Sequence, residues 1–268
     1  VHICYCLSPP RHLYGYETDF PWRKFFLVRH LASWGNKLLR WYDQLAVGRV
    51  STFLAISQEV AQRIKRFYGR RAMVVYPPLL LSVSSNKSVT LSGNYYLVVA
   101  RLSPMKHIDL VIAACRELGR QLKVVGIGPE RRRLQLLSDE TVELLGQVSD
   151  TQLRRLYTSC RAVICAARDE DLGLVPIEAM SFGKPVVAYQ SGGYKETVIN
   201  GKTGVFFSEL SVASLIAALR LLESLAIKPV SCRRRAQQFS SATFIYQIRQ
   251  IVLTAWKQKL KTTGRGTC

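Results

Sequence analysis

Two glutamates in the segment 168–180, RDEDLGLVPIEAM, have the spacing and setting of ligand-binding carboxylates. Glu170 lies in a predicted loop, whereas Glu178 lies early in a helix predicted to begin near Val175, with Pro176 in its first turn. A carboxylate among apolar neighbours needs polar partners, and sugar hydroxyls would suit Glu170 as ribose hydroxyls would suit Glu178. The alternative is that Glu178 only stabilises the helix dipole and that Glu170 is solvated.

Two cations, Arg101 and Lys106, follow a strand predicted at 95–100. Both could face one diphosphate, since arginine offers a planar fork of donors and lysine a point charge. Taken alone, the pair is also explained as two solvated loop cations. It predicts an anion site only where other polar groups converge on it.

Two glycine-rich turns precede predicted helices: Gly126-x-Gly128 in GIGPE, and Gly192-Gly193 in SGGYKET. Glycine lets the backbone approach a ligand closely, and the helix that follows offers unpaired N–H groups. The first turn is not the dinucleotide fingerprint, because the third glycine of that motif is missing. Simple strand-to-helix turns are the alternative for both.

Strands and helices alternate after residue 93, which is typical of βαβ units and a parallel sheet, an α/β fold class. The predicted strands are 95–100, 121–125, 142–145, 162–166, 185–188 and 204–206, and the predicted helices are 108–118, 131–137, 149–159, 175–182, 195–199 and 212–224. Ligands of such sheets bind at the carboxyl ends of the strands. We therefore expect the four loops described above to form one site, since the structural alternatives would have to hold independently at each loop.

Upstream, strands are predicted at 3–7, 50–56 and 72–76, with helices at about 22–46 and at 58–68. Ser, Asn, Lys and Thr dominate residues 81–93, which we predict to be a linker. The expected organisation is therefore a first domain at 1–80, a second at 94–240, and a C-terminal helix with a basic tail at 241–268. Because the chain opens on VHICYC without a Met, we expect an upstream part to be missing.

The chain of 268 residues carries 38 Lys and Arg against 18 Asp and Glu, a formal net charge of +20. This excess favours anionic partners. Few of the basic clusters have interleaved aromatic residues on which bases could stack, so we expect no nucleic-acid partner. We expect peripheral contact with an anionic membrane instead, since near-surface basic residues are attracted to anionic lipids. A solvated basic surface is the alternative.

Seven cysteines are scattered along the chain without a second pair at zinc-like spacing, so no metal site is predicted. Reduced cysteines are typical of the cytoplasm. We therefore expect a cytoplasmic protein, in keeping with peripheral contact at the cytoplasmic face of a membrane. No stretch reaches the ~18 apolar residues of a membrane helix.

These motifs together resemble the retaining family-4 glycosyltransferases of GT-B fold, especially mannosyltransferases of bacterial polysaccharide assembly. The resemblance covers nearly the whole chain. It is carried by VVARLSPMKHIDL (98–110), VVGIGPE (124–130), EDLGLVPIEAMSFGKPVVAY (170–189), SGGYKETV (191–198), and the segment 51–78. The fold implied is a Rossmann-like parallel-sheet C-terminal domain and the tail end of an N-terminal one.

The resemblance implies a nucleotide-sugar donor, with GDP-mannose expected, and a glycan or lipid-linked acceptor. Arg101 and Lys106 would neutralise the departing diphosphate, with Glu170 positioning the sugar as the third catalytic residue. Glu178 would bind the ribose. The remaining donor-binding positions implied are Gly126, Gly128, Gly173, Leu174, Val175, Gly192 and Gly193, and no metal or other cofactor is implied.

One position departs from the family pattern. Related sequences often read Cys-His-Thr-Pro where this chain has Cys6-Leu7-Ser8-Pro9. Leucine neither donates nor accepts a hydrogen bond, so it cannot take over the role of a histidine near the reacting sugar. We therefore expect Leu7 to affect turnover more than donor binding. The alternatives are a non-catalytic donor-binding or scaffold subunit of an envelope polysaccharide assembly complex, a GT-B epimerase, and a basic nucleic-acid-binding module.

Overall fold

The structure is a computed structural model that describes residues 1–16, 26–81 and 93–263, without the side chains of 26–33 and 261–263. It divides into two compact units, the first made of Val1–Pro78 with Ser241–Cys268 and the second of Leu79–Ser240. The C-terminal helix thus groups with the first unit. Most of the predicted linker, residues 82–92, lies outside the described residues.

The elements of the described residues, in chain order, are β1 (Ile3–Cys6), α1 (Phe26–Gly48), β2 (Thr52–Ala55), α2 (Gln58–Tyr68), β3 (Ala72–Val74), β4 (Tyr95–Val99), a 3₁₀ turn (Pro104–Lys106), α3 (Ile108–Glu117), β5 (Gln121–Val125), α4 (Arg131–Leu137), β6 (Val142–Gly146), α5 (Asp150–Ser159), β7 (Ala162–Cys165), α6 (Leu174–Ser181), β8 (Val186–Tyr189), α7 (Tyr194–Thr197), β9 (Gly204–Phe207), α8 (Val212–Ser224), α9 (Pro229–Gln237) and α10 (Ser241–Thr263).

The first unit contains a three-stranded parallel sheet in the order β1-β2-β3, with Cys4 opposite Phe53. Helix α2 has well-defined ends. The Ser57 hydroxyl accepts from the amide of Val60 at 3.0 Å, and Gly69 closes the helix at φ 63, as N-cap and C-cap residues do.

The second unit is built on a six-stranded parallel sheet in the order β6-β5-β4-β7-β8-β9. All four residues of β7 are buried, as expected for a strand covered on both faces. The chain runs outward from β4 to β6 and then returns to β7 on the other side of β4. The direction of winding therefore changes between β4 and β7, which is where open parallel sheets bind ligands, at the carboxyl ends of the strands.

Helices cover this sheet and complete the core. Helix α8 packs against α3 and β9, and α9 packs against α6. Helix α9 was not predicted from the sequence, because this arginine-rich segment has little apolar periodicity. Within it only Cys232 and Ala236 are buried. Among the described residues, no helix is both long and apolar enough to cross a membrane.

Candidate active site

The loops that follow β4 and β7 meet through an ion pair. Lys106 ends the 3₁₀ turn after β4, and its Nζ lies 2.7 Å from Oε2 of Glu170 in the loop after β7. The Lys106 side chain is 28% exposed and that of Glu170 is 26% exposed, so a ligand can reach both. The residue predicted to bind phosphate therefore contacts the residue predicted to bind the sugar.

A left-handed residue sets the geometry of the β4 loop. His107, at φ 47, separates the 3₁₀ turn from α3 and so turns the chain just after Lys106. Arg101 comes two residues after β4 and is exposed. It lies at the same edge of the sheet as Lys106, since both residues follow the carboxyl end of β4.

Glu178 makes a contact that the sequence did not reveal. The hydroxyl of Tyr157, a buried residue of α5, donates a hydrogen bond of 2.8 Å to Oε2 of Glu178 in α6. The ring of Tyr157 stacks on Phe182, with 5.3 Å between ring centroids. Burial raises the pKa of Glu178, and the hydrogen bond from Tyr157 lowers it in part. Glu178 is thus a partly buried carboxylate oriented by a neighbour in the fold, beyond any effect on the helix dipole.

The start of α6 offers backbone donors beside Glu170. Gly173 precedes the helix at φ 85 and provides no side-chain cap, so the first amides, those of Leu174 and Val175, have no capping side chain. Uncapped helix N-termini favour anions. Leu174 and Val175 are also two of the donor-binding positions that the family resemblance implies, and this role stays a prediction.

The glycines of the β5 loop bring two backbones together. A methyl group on Gly126 would overlap the carbonyl of Ala100, and one on Gly128 would overlap that of Leu102, so glycine is needed for loop packing. The amide of Gly126 donates to the Gly146 carbonyl at 2.8 Å. That amide is therefore bonded within the fold, and it joins the loop after β5 to the end of β6.

The glycines after β8 let the backbone of their turn pack closely against the loop after β7. A methyl group on Gly192 would overlap the backbone of Glu170, and one on Gly193 would overlap that of Leu172. The amide of Gly193 donates to the Glu170 carbonyl at 2.8 Å. This turn therefore fixes the backbone that carries Glu170.

Two aromatic residues complete the surroundings of the glutamates. Tyr157 donates its hydrogen bond to Glu178. Tyr194 is buried in α7, and its ring packs against Gly173. Tyr194 lies inside the SGGYKET motif, so its place in the sequence was a usable signal. Tyr157 lies in α5, where nothing but an apolar helix face marks it.

Two further predictions concern residues outside this edge of the sheet. Leu7, directly after β1 in the first unit, is 62% exposed. No group of three or more His, Cys, Asp or Glu residues that could hold a metal ion occurs in the part of the chain that the structure describes.

Known proteins resemble this chain in both sequence and fold. The profile of the family Glycosyl transferases group 1 matches residues 85–239. An uncharacterized glycosyltransferase of Methanocaldococcus jannaschii is 25% identical over 170 residues, 62% of this chain and 48% of that protein. The glycogen synthase of Mycobacterium tuberculosis is 33% identical over 185 residues, 63% of this chain and 43% of the synthase. The chain thus spans about half the length of these curated relatives.

Solved structures agree in fold. Anabaena HepE in complex with UDP and glucose superposes with a TM-score of 0.71 and 22% identity, over 93% of this chain and 70% of HepE. Sucrose-phosphate synthase from Thermosynechococcus elongatus gives a TM-score of 0.71 at 22% identity, over 83% of this chain and 62% of that one. The predicted fold class, α/β of GT-B type, is confirmed. Since the profile matches more than half of the chain, the protein belongs to the family Glycosyl transferases group 1.

Proposed function

We propose that this protein binds a nucleotide sugar at the carboxyl edge of the second unit's sheet and transfers the hexose, with retention, to a glycan or lipid-linked acceptor. The observation that carries the proposal is the contact between Lys106 and Glu170 at the point where the winding reverses. A cation and a carboxylate at that point suit the two ends of a sugar diphosphate. Support also comes from HepE, whose structures hold UDP with glucose, and UDP-glucose.

In this proposal each part of the donor meets a separate group. Glu178, oriented by Tyr157, accepts hydrogen bonds from the ribose hydroxyls. Arg101 and Lys106 bind the diphosphate, together with the backbone amides at the uncapped start of α6. Glu170 accepts hydrogen bonds from the hexose hydroxyls. The glycines at 126, 128, 173, 192 and 193 act by letting the loops that carry these groups pack together.

The chemistry follows from where charge develops. When the bond between the anomeric carbon and the diphosphate oxygen breaks, negative charge moves onto the diphosphate. The oxygen of the acceptor hydroxyl bonds to the anomeric carbon, and its proton leaves with the nucleoside diphosphate. In this proposal Arg101 and Lys106 bind that charge more strongly in the transition state than in the ground state, and this difference accelerates the step. The positive charge that develops on the sugar faces the Glu170 side of the site.

Two donors deserve a direct comparison. GDP-mannose is expected from the family resemblance, and UDP-glucose is the donor held by HepE. Calorimetric titration with UDP, GDP and both sugar nucleotides measures which of them the chain binds. Release of the nucleotide is then followed by NMR in the presence of a mixture of glycan and lipid-linked acceptors. We expect one of the two donors to bind with a dissociation constant in the micromolar range. The anomeric proton of the product should show the same anomeric configuration as the donor, which is the outcome of a retaining transfer. Absence of binding by all four ligands contradicts the proposal.

A second candidate, a non-catalytic donor-binding subunit, is favoured by Leu7. This residue stands where the family resemblance predicts histidine, and it cannot exchange a proton. Binding of donor without any release of nucleotide, in the presence of acceptor, would support this candidate.

We also propose that the first unit contacts an anionic membrane through α1. Trp34, Leu38, Trp41 and Leu45 are 77%, 66%, 61% and 50% exposed and share one face of the helix. With the net charge of +20, this face has the composition of interfacial helices. Co-sedimentation with vesicles of phosphatidylserine and phosphatidylcholine should fall several-fold for the double variant Trp34→Ala/Leu38→Ala and be unchanged for Leu136→Ala, which changes an exposed leucine of α4. Equal sedimentation of the double variant and the wild type would refute the contact.

A further inference from the structure

The ion pair between Lys106 and Glu170 joins two side chains that the proposed function assigns to different parts of the donor. Nζ of Lys106 lies 2.7 Å from Oε2 of Glu170, so the lysine donates a charge-assisted hydrogen bond to the carboxylate. In the proposed function the lysine binds the diphosphate, and the carboxylate accepts hydrogen bonds from the hexose. A ligand that binds one of the two side chains must therefore compete with the other.

The backbone of the loop after β4 sets the position of Lys106 for this contact. The amide of Lys106 donates to the carbonyl of Ser103 at 3.0 Å, and the left-handed residue His107 follows at φ 47. The Cα atom of Lys106 is thus held by the 3₁₀ turn. The ammonium group moves relative to it on a flexible stem of four carbons.

The backbone that carries Glu170 is held by the turn after β8. The amide of Asp169, a residue at φ 56, donates to the Ser191 hydroxyl at 3.2 Å. The amide of Gly193 donates to the Glu170 carbonyl at 2.8 Å. Because both backbones are fixed, the fold brings the ammonium and the carboxylate together again whenever a ligand releases them.

The pair is also weak enough for a ligand to break. The Lys106 and Glu170 side chains are 28% and 26% exposed, so water screens their attraction. A diphosphate offers the lysine several anionic oxygens in place of one carboxylate, and it can therefore displace Glu170. Re-forming the pair needs movement of side chains alone.

Transfer of the hexose changes what the two side chains meet. The diphosphate gains negative charge as the sugar leaves, so the cations that stabilise the transition state also hold the spent nucleotide. A site that depended on Arg101 and Lys106 alone would release this product slowly, and product release limits the turnover of many enzymes. The Glu170 carboxylate changes in the opposite sense, because it loses the hexose hydroxyls and is free to pair with Lys106.

We infer that Glu170 makes the site distinguish the sugar nucleotide from the nucleoside diphosphate that remains after transfer. While the hexose is bound, the carboxylate is occupied by its hydroxyls and Lys106 belongs to the diphosphate. Once the hexose has gone, Glu170 competes for Lys106 and weakens the hold on the product. The inference rests on the proposed function, since that function assigns Lys106 to the diphosphate and Glu170 to the hexose.

The second unit offers a matched control for a test. Lys123 and Glu143 form a pair of 2.8 Å between the neighbouring strands β5 and β6, with side chains that are 33% and 56% exposed. Glu170→Gln and Glu143→Gln each keep the shape of the side chain and remove one charge from an ion pair. Of these two pairs, that of Glu170 lies in the loops at the carboxyl edge.

The experiment measures calorimetric affinities for UDP, GDP, UDP-glucose and GDP-mannose. Glu170→Gln should raise the affinity for the preferred nucleoside diphosphate ~3-fold or more, the effect of one partly exposed ion pair. The affinity for the sugar nucleotide should not rise with it, because glutamine loses the charge-assisted hydrogen bonds with the hexose. Glu143→Gln should change neither affinity. An unchanged or lower affinity of Glu170→Gln for the diphosphate would overturn the inference.

A second measurement asks whether the carboxylate acts through the lysine. In the background of Lys106→Met, Glu170→Gln should change the affinity for the diphosphate less than ~2-fold, because the carboxylate then has no lysine to take from it. A gain as large as in the wild-type background means that Glu170 repels the diphosphate directly, and this outcome also overturns the inference.

Failure of the proposed function gives a different result. A wild-type chain that binds none of the four nucleotides refutes the proposed function, and the inference falls with it. A wild-type chain that binds them, with no gain for the diphosphate in Glu170→Gln, refutes the inference alone.

Discussion

Replacing Glu178 with glutamine should weaken the binding of nucleotide but leave the folded chain as stable as the wild type, or more stable. Because the two effects have opposite signs, this variant distinguishes a binding role of Glu178 from a structural one. Glutamine has the same shape and can still accept the hydrogen bond from Tyr157, which is 2.8 Å long in the wild type. It loses the negative charge, so one ribose hydroxyl meets an amide N–H instead of an acceptor. A hydrogen bond to a charged group contributes ~1.5–3 kcal/mol, and the affinity for nucleoside diphosphate should therefore fall ~10-fold to 100-fold.

Folding stability should change in the other direction. Burial raises the pKa of Glu178 in the folded chain. A carboxyl with a raised pKa favours folding at a pH below its unfolded pKa, and that contribution is lost as the pH rises through the folded pKa. At neutral pH the ionised carboxylate thus opposes folding, and glutamine removes this effect. The unfolding midpoint of Glu178→Gln should be equal to or above the wild-type value at pH 7, and the difference should shrink toward pH 4.

The assay is calorimetric titration with UDP and GDP, together with thermal unfolding at several pH values. Glu143→Gln is the control, since Glu143 is 56% exposed and pairs with Lys123 away from the carboxyl edge. The reasoning is refuted if affinity is unchanged. It is also refuted if the variant unfolds several degrees lower at neutral pH, because Glu178 would then be a structural residue.

Further expected outcomes test the neighbouring contacts. Lys106→Met should weaken the nucleoside diphosphate ~10-fold and leave the nucleoside alone unchanged, whereas Lys123→Met, which breaks a comparable pair with Glu143, should change neither affinity. Equal loss for nucleoside and diphosphate would contradict the assignment of Lys106. Gly173→Ala should lower the unfolding midpoint by at least ~2 °C and weaken the affinity for the nucleotide sugar, because its methyl group meets the Tyr194 ring directly before the uncapped start of α6. Gly119→Ala has a similar φ, +61, with no atom within 4 Å, and should lower stability without any change in affinity.

The order of elements could be predicted because local signals are strong in this chain. Ser57 and Gly69 mark both ends of α2, and the structure places the helix at the predicted residues, Gln58–Tyr68. Alternation of apolar strands and helices also predicted a parallel sheet, and with it the edge at which Arg101, Lys106 and the two glutamates lie. Helix α9 was missed because packing on α6, rather than local propensity, specifies it.

The contacts of the site could not be predicted from the sequence. Lys106 and Glu170 are 64 residues apart, and their ion pair depends on which strand lies beside β4 in the sheet. Tyr157 carries no motif, and its contact with Glu178 depends on the stacking of its ring on Phe182, 25 residues further along the chain. The surroundings of the glycines could not be read from the sequence either, since it is a neighbouring loop or ring that occupies the space a side chain would need.

The central claim is that one donor site lies at the carboxyl edge of the second unit's sheet. Hydrogen–deuterium exchange of the chain, with and without saturating UDP-glucose or GDP-mannose, tests this claim most directly. We predict slower exchange at 100–107, 167–176 and 191–195 with the preferred donor, and no change in β6, at the far side of the sheet. Protection confined to other segments, with these three unchanged, would contradict the account.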